Sequence, residues 1–141
     1  MVSLLASVVM IVGGLVQAPS QPAKVSGPPS ETATQFYLRY RAAVTKATSV
    51  DEVLTFWSDD VVNEYKSAPP DQRADLAGIK RMNGMASNVT VTREAVSTGP
   101  GTSNALLSLE GIGMDQKRVT ATAHLVKKEG AWKLAEPEEW K

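Results

Sequence analysis

The strongest constraint on the fold is a change in hydrophobic period close to Ser87. Before that residue, apolar and aromatic side chains recur at steps of three and four, the spacing of one face of an α-helix. After it, apolar and polar residues alternate, as they do along a strand with one buried face. Helices followed by strands predict an α+β fold: three or four amino-terminal helices packed on a curved four-stranded antiparallel sheet, arranged as a meander.

The helical part divides at its capping residues. Ser30 is predicted to cap the first helix, and a capping box formed by Ser49 and Glu52 is predicted to start the second. Ser58 restarts a short third helix, and residues 71–86 are predicted to form a fourth. The first helix is predicted to bury a face made of Ala33, Phe36, Tyr37, Tyr40, Val44 and Ala47.

Four strands are predicted after the helices, at residues 88–97, 103–112, 117–128 and 131–136. Gly99-Pro100-Gly101 separates the first two, and Glu129-Gly130 separates the last two. Both are turn-forming combinations, because glycine accepts a positive φ. The short connections favour a meander, in which strands that are neighbours in sequence are also neighbours in the sheet.

The amino-terminal segment resembles a secretory signal. Leu4–Val16 is almost continuously apolar, and Val16-Gln17-Ala18 offers short residues before a cleavage point after Ala18. An uncleaved membrane anchor is an alternative, although a helix of this length reaches only about 22 Å across a core of about 30 Å. A buried amino-terminal helix is another alternative. We therefore predict a signal peptide at 1–18, a proline-rich linker at 19–29, a folded domain at 30–136 and an acidic tail at 137–141.

Charge and residue usage exclude several classes of function. Lys and Arg total 15 and Asp and Glu total 15, so the chain lacks the basic surplus that a general nucleic-acid binder needs. There is no cysteine, which excludes thiolate catalysis and zinc–thiolate sites. A single histidine excludes a histidine-rich metal site. The sequence therefore predicts no metal and no cofactor.

Three segments together carry a family resemblance. They are Thr34-Gln35-Phe36-Tyr37-Leu38-Arg39-Tyr40, then Phe56-Trp57-Ser58-Asp59-Asp60, and the final hairpin from Ala123 to Leu134. Over residues 31–136 the chain resembles the nuclear-transport-factor-2-like superfamily, the cystatin-like α+β cone, and especially its small exported bacterial members of unknown function. The resemblance implies a cone-shaped fold. It does not select a function, because the superfamily includes isomerases, dehydratases, cyclases and transport adaptors.

Two groups of residues have the chemistry of an active site. Members of the superfamily similar to ketosteroid isomerase use a carboxylate base in an apolar pocket with a tyrosine as hydrogen-bond donor. The chain has candidates for these groups: the carboxylate of Asp59 or Asp60, and the hydroxyls of Tyr37, Tyr40 and Tyr65. Acidic residues at a helix start more often complement the helix dipole, and tyrosines at helical spacing are more often core. We therefore assign no catalytic residue.

His124 is the other candidate, because histidine titrates near neutral pH. It lies in the middle of a predicted strand, on the same face as threonines, and has no evident partner. Trp140 in the acidic tail either packs on the sheet or is an exposed anchor for a partner. Neither residue defines a reaction.

The sequence favours an exported, non-enzymatic domain that binds a small apolar ligand or a protein, and that pairs as a homodimer through its sheet face. A proton-transferring isomerase or lyase is the alternative function. A cavity with a carboxyl group near a tyrosine hydroxyl would favour the enzyme, and a filled cone would favour protein binding. The candidate ligand-binding residues are Tyr37, Tyr40, Trp57, Tyr65 and His124.

Overall fold

Four helices and four strands follow one another along residues 31–141, the part of the chain that the computed structural model describes. The helices are α1 (Ala33–Lys46), α2 (Val50–Leu54), α3 (Asp59–Ser67) and α4 (Leu76–Asn83). The strands are β1 (Ala86–Gly99), β2 (Thr102–Gly113), β3 (Arg118–Lys128) and β4 (Ala131–Glu136). The predicted signal peptide and linker lie outside the described residues. Within residues 31–141, no helix is long and apolar enough to cross a membrane.

The strands form one antiparallel sheet in the order β1-β2-β3-β4. This confirms the predicted α+β class and the meander. Register shifts interrupt the β1–β2 pairing after Ser87 and after Val91, and they interrupt the β3–β4 pairing at Ala135 of β4. Such irregularities bend strands and increase their twist, so the sheet curves toward the helices.

Local hydrogen bonds cap the first two helices differently from the prediction, although Ser49 directly precedes α2 as predicted. Thr32, not Ser30, caps α1, because its hydroxyl accepts from the Gln35 amide while the Gln35 side chain accepts from the Thr32 amide. The capping box predicted for α2 is wrong. The Ser49 side chain makes no capping bond, and Glu52 instead accepts from the amide and the hydroxyl of Thr48.

The predicted fourth helix is too long at both ends. The carboxylate of Asp75 accepts from the Gly78 amide, so α4 begins at Leu76 rather than at residue 71. Residues Pro70–Gln72 form a separate 3₁₀ turn. Gly84 caps the end of α4, and Ala86 already pairs with Gly113 as the first residue of β1.

Helix α1 packs on the inner face of the sheet. Its fully buried side chains Phe36 and Val44 meet alternate residues of the strands, such as Leu107. The next residue along β2, Leu106, points to the outer face and is 52% exposed. We call this region the packed core; its members are Ala33, Phe36, Val44, Leu107, Leu109, Leu125 and Trp132. No polar or charged residue is fully buried among residues 31–141.

Two chain segments flank β4. The segment after α2 runs beside it, where the Leu134 amide donates to the Phe56 carbonyl and the Ser58 amide donates to the Leu134 carbonyl. This pairing holds Trp57 against the sheet. Residues 137–141, here called the tail, return to β3, where Lys141 and Thr120 exchange two backbone hydrogen bonds. Trp140 packs against the core, which is one of its two predicted roles.

Candidate functional site

A cavity of about 160 Å³ lies between α1, α4, β4 and the tail. We call it the tail pocket. Its volume is close to that of a cavity that accommodates a benzene ring. Most of its wall is apolar, and only a few polar groups reach it, which is the usual composition of a small-molecule site. Its lining residues are Tyr40, Trp57, Ala74, Ile79, Met82, Asn83, Leu134, Pro137 and Glu138.

An aromatic group fixes one wall of the tail pocket. The indole Nε1 of Trp57 donates to the hydroxyl oxygen of Tyr40 at 3.3 Å. The ring of Phe56 lies 5.6 Å from that of Tyr40, and Tyr65 meets Trp57 edge-on at 5.8 Å. Tilted and edge-on rings at these separations attract one another. The wall is therefore preorganised before any ligand enters.

The tail supplies the only carboxylate among the lining residues that the structure describes. The Tyr37 hydroxyl donates to Glu138 Oε1 at 2.9 Å, and Arg41 Nη1 lies 3.7 Å from the same oxygen. The side chains of Arg41 and Glu138 are only 13% and 10% exposed. Arg41 Nη2 is held by two backbone carbonyls, of Asn83 and Ala86. Glu138 is thus a fixed, charge-balanced carboxylate.

The junction of the tail with α1 and α4 also leaves polar atoms without partners. Arg41 Nη1, Asn83 Oδ1 and Trp140 Nε1 are buried and make no hydrogen bond within residues 31–141. The Arg41 guanidinium lies 5.8 Å from the centre of the Trp140 ring, a cation–π distance. Unpaired buried polar atoms cost about 1–3 kcal/mol each, so packing at this junction is less favourable than in the packed core.

Burial makes both inner tyrosines weak acids. Loss of solvent raises the pKa of Tyr40 to about 12, and the negative charge of Glu138 acts in the same direction. Burial first, and then Glu138, raise the pKa of Tyr37 further above its ordinary value. Both phenols therefore keep their protons near neutral pH. The Tyr37 proton is donated to Glu138, and the Tyr40 oxygen accepts from Trp57.

The predicted ligand-binding residues fall into three positions. Tyr40 and Trp57 line the tail pocket. Tyr37 lies behind it, on Glu138, and Tyr65 supports Trp57 while its hydroxyl donates to the Ala74 carbonyl at 2.6 Å. Neither of these two tyrosines lines the pocket.

His124 lies on the outer face of the sheet, away from the tail pocket. Its Nδ1 is 3.1 Å from Glu136 Oε2, and its Nε2 is 3.3 Å from Asn104 Oδ1. Asp59 and Asp60 are exposed in the first turn of α3, as expected of residues that complement a helix dipole. The homodimer through the sheet face stays a prediction.

The lining residues that the sequence did not predict come from α4, from Ala74 before it, from Leu134 in β4 and from the tail. Glu138 is the most consequential of them. A signal for it exists, because Glu138 and Trp140 continue the alternation of the inward residues Trp132 and Leu134 across an irregularity at Glu136. The acidic composition of the tail concealed this pattern, since a run of charges usually indicates a solvated segment.

A second, larger groove of about 550 Å³ lies on the other side of the tail. Hydroxyl and carboxylate side chains make up most of its wall, among them Thr120, Thr122, Glu110 and Glu139. It has no aromatic lining residue, so it lacks the apolar anchor that small-molecule sites use. No group of three metal-binding side chains occurs among residues 31–141. The tail pocket is therefore the stronger candidate.

Comparisons with known proteins give little further guidance. No family model matches the chain, and no curated protein matches it. A solved structure from Novosphingobium aromaticivorans, provisionally described as an aromatic ring hydroxylase, is similar at 20% identity. The similarity covers 75% of this chain and 88% of that one, with a TM-score of 0.37. Likeness at this level does not show a shared activity.

Proposed function

We propose that this domain binds a small, largely apolar molecule in the tail pocket and does not transform it. The observation that carries the proposal is a preformed cavity of about 160 Å³ with an apolar wall and a few fixed polar groups. The proposal keeps two predictions from the sequence. The chain is exported by a signal peptide cleaved near Ala18, and its domain is of the nuclear-transport-factor-2-like type.

The contacts of the polar groups support binding over catalysis. A general base needs a free lone pair within reach of the proton that it removes. It is most effective when its pKa lies near the working pH. Oε1 of Glu138 is held by Tyr37 and faces Arg41, which leaves only Oε2 of this carboxylate free to meet a ligand. The neighbouring phenol, Tyr40, has its pKa raised to about 12, which makes it a poor proton source.

One observation favours the alternative, a proton-transferring isomerase or lyase. Glu138 and Tyr40 line the same apolar cavity, and a carboxylate with a phenol is the pair that enzymes similar to ketosteroid isomerase use. The carboxylate comes from the tail and not from Asp59 or Asp60. This enzyme would remove a proton next to a carbonyl with Glu138 while Tyr40 holds the carbonyl oxygen.

Titration of the full chain with single-ring compounds tests the proposal. Toluene or phenol should change the fluorescence of Trp57 saturably, because Trp57 forms part of the wall. In Ala74→Phe the new ring should fill the cavity and remove binding. Ala77→Phe is the matched control, since Ala77 is exposed on α4 and does not line the cavity.

The outcomes separate the two functions. Saturable binding to wild type and Ala77→Phe, lost in Ala74→Phe, supports the proposal. Absence of saturable binding by any single-ring compound to the wild type contradicts it. If the wild type, but not Glu138→Gln, incorporates solvent deuterium at the α-carbon of a cyclic enone, the enzymatic alternative replaces the binding proposal.

A further inference from the structure

Two hydrogen-bonding positions at the tail pocket are unused by the protein. The Tyr40 hydroxyl oxygen accepts from Trp57, and within residues 31–141 the hydroxyl proton has no acceptor. Both contacts to the Glu138 carboxylate reach Oε1, so Oε2 receives no hydrogen bond from the described residues. Beside these two, Asn83 Oδ1 is a further unpaired acceptor on a lining residue, so the pocket offers one donor, on Tyr40, and acceptors on Glu138 and Asn83.

The ion pair between Glu138 and Arg41 restricts the charge that a ligand can carry. Glu138 faces Arg41 at 3.7 Å, so the carboxylate is already balanced and a cationic ligand gains little. An anionic ligand would place a second negative charge beside Glu138 in a poorly solvated cavity, which is unfavourable. The electrostatics thus favour a neutral molecule.

In a cavity with room for about one ring, a single substituent that lies between Tyr40 and Glu138 is able to use both positions. A hydroxyl group does so, because it has one proton to donate and lone pairs to accept with. A ketone accepts from Tyr40 and gives nothing to Glu138. A methyl group uses neither position, and both polar groups then lose water without a replacement.

We infer that the tail pocket selects neutral ring compounds that carry a hydroxyl group, phenols or cyclic alcohols, through Tyr40 and Glu138. The ring contacts the apolar wall formed by Ile79, Met82 and Leu134, and the hydroxyl accepts from Tyr40 while it donates to Glu138. This inference rests on the proposed function, since it names the class of ligand for the same pocket.

A set of ligands of matched size tests the inference on the full chain at pH 7. Phenol, toluene, benzoate and benzylamine share one ring and differ in charge and hydrogen bonding. Phenol should bind about 10-fold to 100-fold more tightly than toluene, the discrimination expected when buried polar groups are left unpaired by the weaker ligand. Benzoate and benzylamine should bind more weakly than phenol.

Variants assign the preference to the two residues. Tyr40→Phe and Glu138→Gln should each lower the ratio of phenol affinity to toluene affinity. Tyr65→Phe is the matched control, because it removes a phenol hydroxyl from the same aromatic group without touching the ligand. The ratio is measured within each variant, so a change in the folded fraction cancels from it.

Each result has a definite meaning. Equal affinity for phenol and toluene in the wild type overturns the hydroxyl inference and leaves the proposed function standing. Tighter binding of benzoate than of phenol also overturns it. If neither phenol nor toluene binds, the proposed function fails and the inference fails with it. An unchanged ratio in both Tyr40→Phe and Glu138→Gln refutes the roles of these residues.

Discussion

The packed core and the tail pocket lie on the same inner face of the sheet but are built differently. The packed core consists of apolar side chains that fill the space under α1, and it has no fully buried polar residue. The tail pocket leaves about 160 Å³ open, and the junction beside it holds three buried polar atoms without partners. The packed core supplies stability. The tail pocket and its junction lose some stability because they hold specific polar groups in place.

The largest effect should come from the packed core. Leu107→Ala removes a fully buried side chain and leaves a cavity, so the free energy of unfolding should fall by about 2–5 kcal/mol. Leu106→Ala is the adjacent control on the outer face and should cost less than about 1 kcal/mol. Urea unfolding followed by tryptophan fluorescence measures both. Equal losses would contradict the assignment of the two faces.

The next effect should come from the tail. Glu138→Ala removes the acceptor of the Tyr37 hydroxyl and the counter-charge of Arg41, so we expect a loss of about 2 kcal/mol. The neighbouring Glu139→Ala should change the stability by less than about 0.5 kcal/mol, because Glu139 is exposed. If the two variants unfold at the same urea concentration, the docked tail described above is wrong.

Alkaline pH should destabilise the fold through Tyr37 and Tyr40, two tyrosines of α1 that lie behind and at the tail pocket. The folded-state pKa values of Tyr37 and Tyr40 are raised, so their contribution is complete below about pH 10 and is lost as the pH rises through the folded values. For Tyr40, a shift from 10 to about 12 corresponds to about 1.4 kcal/mol lost at pH 11. Urea titrations at pH 8 and 11 should show a smaller loss for Tyr40→Phe than for wild type.

The smallest expected effect is a difference in stability between variants at the starts of α1 and α2, far from the pocket. Thr32→Ala removes the side-chain cap of α1 and should cost about 1 kcal/mol. Ser49→Ala should change stability by only a few tenths of a kcal/mol, because Ser49 makes no capping bond. Thermal unfolding by circular dichroism distinguishes them. A larger loss for Ser49→Ala would restore the capping box that the sequence predicted.

The sequence was sufficient for the architecture because periodicity reports which face each residue buries. For the same reason, the periodicity put Tyr40 and Trp57, which line the tail pocket, on the apolar faces of their segments. It failed where a contact depends on distant parts of the chain. Glu138 meets Tyr37 across 101 positions, and the alternation that continues into the tail does not specify that partner. His124 was a reasonable candidate by chemistry, but the alternation along β3 puts it on the outer face.

Glu138 and Trp140 follow every helix and strand of the described domain in the chain. The buried helix–sheet core contains neither residue, so it is able to form before the tail docks. Until then Tyr37 and Arg41 have water in place of their partner, and the pocket lacks a wall. A ligand that contacts Glu138 would therefore stabilise the last step of folding, and its binding should slow hydrogen exchange in the tail more than in the sheet.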